Sequence, residues 1–189
     1  MRNNNTVDRI LFTTAFLIGG ISVGWICTVF MDTNLPALTI TLVIGGIYGI
    51  GAMELFQFRY ATSTLTKALL RTKEKVEVLE DWLSTLDESL HNSVRLRIQG
   101  ERVGLPAPVL TPYFLGLLVM LGLLGTFIGM VVTLKGAVVA LEGSSELDAI
   151  RAGLAAPIKG LGLAFGTSVA GVATSAMLGL MSTLSKRDR

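Results

Sequence analysis

YFLGLLVMLGLLGTFIGMVVTL, residues 113–134, contains no charged side chain and four glycines in an otherwise bulky apolar run. At about 1.5 Å of helical rise per residue it reaches roughly 33 Å, enough to cross a hydrocarbon core of about 30 Å. Buried backbone in lipid must satisfy its own hydrogen bonds, so such a run is read as a membrane-crossing helix. The apolar character continues to Leu141, which predicts a third span over residues 113–141.

Working outward, three more runs of the same kind appear. Residues 10–31 (ILFTTAFLIGGISVGWICTVFM) form a first span, too long for the apolar core of a cleaved signal peptide, which is about 7–15 residues. Residues 35–58 form a second, entered through Asp32, Thr33, Asn34 and Pro36, with Pro36 suited to a first helical turn. Glu54 marks the approach to the far interface, where Tyr48, Phe56, Phe58 and Tyr60 supply interfacial rings. Residues 154–184 form the fourth span, after a polar loop from Glu142 to Arg151 in which Ser144 and Ser145 are candidate caps. The chain is 51% hydrophobic and 16% charged, against about 25% charged for a soluble domain, and its charges cluster between the apolar runs.

Residues 59–99 are polar and lack both proline and glycine. Leu69, Val76, Leu83 and Leu90 recur every seven residues, with Leu79 and Leu86 in companion positions. This is an amphipathic helix, and nothing between Ala52 and Gln99 stops it from continuing directly out of the second span. Thr72 and Ser93 interrupt the heptad, favouring lateral packing over a free coiled coil. Gly100 to Pro112 (GERVGLPAPVLTP) is the clearest break. The expected architecture is all-α: an N-terminal hairpin over 1–58, a cytoplasmic helical segment and turn over 59–112, and a second hairpin over 113–189, with long helices extending into the cytoplasm.

Lys and Arg crowd the N-terminal tail (Arg2, Arg9), the middle segment and the C-terminal tail (Lys186, Arg187, Arg189), and are sparse in the two short loops. The positive-inside bias places both termini and the middle segment in the cytoplasm. A net charge of +2 with scattered basic residues offers no nucleic-acid surface. Cys27 is the single cysteine and His91 the single histidine, so neither an intrachain disulfide nor a metal site is expected. No nucleophile–base pair lies at membrane depth, so neither an enzyme nor a cofactor is expected.

Gly122, Gly125 and Gly129 in the third span, and Gly162, Gly166 and Gly171 in the fourth, let helices approach closely. Two readings are open: packing within the chain, or a subunit interface or narrow pore. Counted inward from Gly136 and Pro157, Thr126 and Thr167 fall about 15 Å deep, at matching levels of antiparallel helices. Each could simply bond its own backbone; together they suggest a polar pore lining, with Ser168 and Thr133 as lesser candidates.

The string Leu121-Gly122-Leu123-Leu124-Gly125-Thr126-Phe127-Ile128-Gly129 resembles the LGLLGTxxG signature of the MotA/TolQ/ExbB proton-channel family. Ala164-Phe165-Gly166-Thr167-Ser168-Val169-Ala170-Gly171, followed by Ser175 and preceded by Pro157, is similar to the family's final helix, without the AAIP ending of the TolQ and ExbB branches. The likeness covers roughly residues 110–185. It implies a homopentamer in the bacterial inner membrane, enclosing two copies of a single-span MotB/ExbD/TolR-like partner. The partner's membrane aspartate takes up and releases the ion, and threonines of the last two helices line the path beside it. Four spans with both termini inside resemble the flagellar-stator layout, and the anti-phage Zorya motor subunits are a further branch. Independently, no carboxylate occupies the middle third of any span, so a proton path here needs an acid from another chain. The competing expectation is a membrane scaffold whose helix at 59–99 binds a cytoplasmic partner, with the glycines serving packing alone.

Overall fold

A computed structural model describes residues 2–31, 35–71, 90, 93–96, 108–142 and 147–187. Four long helices make up nearly all of it: α1 (Arg2–Met31), α2 (Leu35–Arg71), α3 (Leu110–Glu142) and α4 (Leu147–Arg187). No strand occurs among the described residues. All four are long and apolar enough to cross a membrane, over Val7–Met31, Leu35–Ser63, Leu110–Val138 and Gly160–Lys186. The chain is therefore an all-helical protein with the build of a multi-pass membrane protein.

The helices overrun the expected spans. α2 continues unbroken past residue 58 to Arg71, as the lack of a breaker after Ala52 predicts. The heptad positions from Val76 to Leu86 and the candidate caps Ser144 and Ser145 lie outside the described residues; Leu90 is helical and buried. Pro112, expected to end a break before the third span, instead sits in the first turn of α3, where backbone N–H groups lack intrahelical acceptors and its missing donor costs nothing. α4 begins at Leu147 rather than near residue 154, so Pro157 stands inside it.

α2 and α4 each pack against all three other long helices, and the α3–α4 pair has the most extended contact. The buried centre is formed by Phe12, Ala15, Ile26 and Phe30 of α1, Ile44, Tyr48 and Leu55 of α2, Leu118 of α3, and Leu163, Leu178 and Met181 of α4. Outward faces are large and apolar: Trp25, Met53, Met120, Phe127 and Phe165 are all exposed. In water that surface would be untenable; in lipid it is the expected exterior.

Side-chain contacts fix the register of the helices. Gly51 of α2 lies against Phe114 of α3 and Leu178 of α4. One turn further along, the Glu54 carboxylate accepts hydrogen bonds from the Leu110 backbone N–H (3.0 Å) and the buried Thr111 hydroxyl (2.6 Å). A carboxylate thus caps the N-terminus of α3, satisfying donors that the helix cannot and meeting the positive end of its dipole. Phe30, at the end of α1, rests on Gly166 of α4.

Candidate functional site

Small residues recur along α3 as Gly122, Gly125, Gly129 and Thr133, at helical spacing, and along α4 as Gly160, Ala164, Thr167, Ser168, Gly171 and Ser175. The two stripes meet. Gly171 lies against Gly122 and the Leu118 carbonyl, and the Ser168 backbone also touches Gly122. Gly125 sits beneath the Thr167 side chain. A Cβ built on Gly129 would stand 2.6 Å from the Ala164 nitrogen and 2.7 Å from the Gly160 oxygen; one on Gly160 would strike Thr133. The Ser175 hydroxyl donates to the Leu115 carbonyl across the gap at 3.0 Å. Backbone meets backbone here, the arrangement small residues permit between membrane helices.

The hydroxyls divide into two kinds. Thr167 is fully buried in the seam and donates to the Leu163 carbonyl at 2.8 Å, with the Ala164 carbonyl at 3.3 Å. Thr126 is partly exposed, flanking the Gly122–Gly129 stripe, and donates to the Leu123 carbonyl. Thr133, also partly exposed, donates to the Gly129 carbonyl at 2.8 Å. Ser168 is partly exposed, and its hydroxyl has no hydrogen bond among the described residues. A hydroxyl whose proton is committed to a carbonyl still offers oxygen lone pairs as acceptors. Thr126 and Ser168 are partly open to whatever lies outside the chain, and Thr167 is not.

Gly125 touches Thr167, so Thr126 and Thr167 share a level while pointing differently. Three candidate packing glycines of α4 have three different surroundings. Gly171 is in the seam, Gly166 serves the α1 contact under the Phe30 ring, and a side-chain carbon at Gly162 would meet open space. Gly160 and Ala164 take the seam positions that spacing from Gly166 and Gly162 missed. Their signal was present in the sequence, since Gly160, Ala164, Thr167 and Gly171 follow the same 3.6-residue period as Gly122, Gly125 and Gly129.

Helix register supplies a reference level other than Gly136. Stepping 16 residues from Gly51 back to Leu35 (51 − 35) reaches the level of residue 130 on antiparallel α3 and of residue 162 on parallel α4. The Phe30–Gly166 contact gives a similar level on α4. Thr126 lies about 6 Å, and Thr167 less than about 8 Å, below the level at which α1 ends and α2 begins.

Among the described residues, no group of three or more His, Cys, Asp or Glu side chains could hold a metal ion, and no charged residue occurs over 110–130 or 165–185. Comparison with known proteins finds no family model, no curated protein and no solved structure that matches the chain.

Proposed function

We propose that this chain is the channel-forming subunit of an ion-driven motor in the bacterial inner membrane, with both termini cytoplasmic. In this reading it assembles as a pentamer around two copies of a single-span partner. Ion passage past the partner's membrane aspartate is converted to rotation or other mechanical work. The observation that carries the reading is the meeting of the LGLLGTFIG stretch of α3 with the Thr167-bearing stretch of α4 along one close seam, over lengths (110–130 and 165–185) that carry no charged side chain.

The two threonines take different roles under this proposal. Thr126 reaches outward with acceptor lone pairs and meets the partner's acid directly. Thr167, covered by Gly125, is a positioning residue that holds α3 against α4. Ser168 is the uncommitted hydroxyl that donates to the acid when it is ionised.

Replacing Thr126 with valine, nearly isosteric, is expected to bring ion flux through the reconstituted complex close to background while the oligomer elutes unchanged. Unaltered flux would remove the assigned role. The rival reading, a membrane scaffold whose cytoplasmic helix binds a partner, draws support from Thr167, whose hydroxyl is bonded to its own helix. That reading expects no ion flux above background from either the wild-type or the valine variant, with partner binding dependent on residues 59–99.

A further inference from the structure

The α1–α2 hairpin and the α3–α4 hairpin have different heights. Both begin at a common base: Arg9 of α1, Glu54 and Arg59 of α2, Leu110 of α3 and Lys186 of α4 mark the end bearing the termini. At the opposite end, α1 stops at Met31 and α2 starts at Leu35. Register sets that level near residue 130 on α3 and residues 162–166 on α4. Yet α3 runs on to Glu142, and α4 has already begun at Leu147. The surplus is about 18 Å on α3 and about 22 Å on α4 at the helical rise per residue.

An independent observation marks the same level. Below it, residues 110–130 and 165–185 carry no charge. Above it, Lys135, Glu142, Asp148, Arg151 and Lys159 follow within the surplus. Lys135 is exposed. The turn between α1 and α2, with Asp32 and Asn34, belongs at an interface and not in hydrocarbon. A slab of about 30 Å laid between the common base and that turn contains the charge-free lengths of all four helices and excludes the five charges.

We infer that residues 131–142 and 147–161 stand clear of the bilayer on the side of the short turns, and that the Thr126–Thr167 level lies at the water-accessible rim of the membrane on that side. The placement follows from register and charge alone. Its consequence for ion movement rests on the function proposed above: ions arriving from the turn side reach Thr126 across only about 6 Å of hydrocarbon, and the insulating length lies between Thr126 and the Glu54–Thr111 cap.

Single cysteines in a Cys27→Ser background test this in the full-length protein in right-side-out membranes. A membrane-impermeant maleimide is added on the side of the short turns. Lys135→Cys and Val138→Cys are expected to react at rates near those of a thiol in water. Thr126→Cys is expected to react more slowly but to completion, and Met120→Cys, about 15 Å below the rim, to stay unmodified. Phe127→Cys, exposed one residue above, carries the same test if Thr126→Cys fails to assemble. Protection of Lys135→Cys and Val138→Cys equal to that of Met120→Cys would overturn the projection. Protection of both Thr126→Cys and Phe127→Cys would overturn the shallow rim. Labelling does not depend on ion flux, so its failure is separable from failure of the Thr126→Val experiment.

Discussion

The two hairpins are held by opposite means. Between α1 and α2, bulk meets bulk: Phe12 and Phe16 approach Phe56 edge-on with ring centroids 4.9 and 5.6 Å apart, and Phe16 stacks on Tyr48 at 6.1 Å. Arg59 lies 4.4 Å above the Phe12 ring. The Tyr48 hydroxyl donates toward the Ala15 and Phe16 carbonyls, at 3.3 and 3.2 Å. Between α3 and α4, nothing meets nothing: glycine faces backbone, and Thr167 is the largest side chain set against a glycine of α3. Lipid tails are as apolar as leucine, so neither pair is held by the hydrophobic effect. Ring pairs have directional preferences but soft walls. A backbone contact has no rotamer through which to give way.

The difference can be broken most forcibly at Gly129. Gly129→Leu would drive a side chain into the Ala164 nitrogen and Gly160 oxygen. The expected cost is at least the 1–3 kcal/mol, roughly, of core overpacking, with loss of monodisperse protein and a lowered melting temperature in detergent. On the aromatic side, Phe16→Ala removes two ring pairs and should cost about 1–2 kcal/mol, read as a smaller drop in melting temperature with the assembly intact. Equal losses from the two variants would erase the proposed contrast. The Glu54→Ala variant should cost about 1 kcal/mol, the scale of a lost N-cap, and should raise amide exchange selectively at Leu110. Gly162→Ala sharpens the comparison from below. Its neighbourhood is open, so a change within about 0.5 kcal/mol is expected, and a large loss would reveal a neighbour that the single chain does not show.

The four spans were legible because uncharged runs of that length admit few other readings, and the continuation of α2 followed from the absence of glycine and proline. The seam was half legible. Gly122, Gly125, Gly129 and Gly171 fall in one phase, but α4 is rich in small residues on several faces. Choosing Gly160 over Gly162 required knowing which face meets α3, and spacing within one helix does not contain that. Thr126 and Thr167 could be matched in level because the helices are antiparallel. Their depth is not fixed by such a count, which depends on its reference: Gly136 lies beyond the level at which α1 ends and α2 begins. Glu54 read as an interface marker; its role as a cap joins residues 56 positions apart and leaves no local trace.

The central claim is that the α3–α4 hairpin works against an acid supplied by another chain. Native mass spectrometry of the complex extracted from its own membrane tests it most directly. The account predicts five copies of this chain with two copies of a small protein whose single span contains an aspartate. A monomer or dimer of this chain alone, active in ion transport without any second protein, would contradict it.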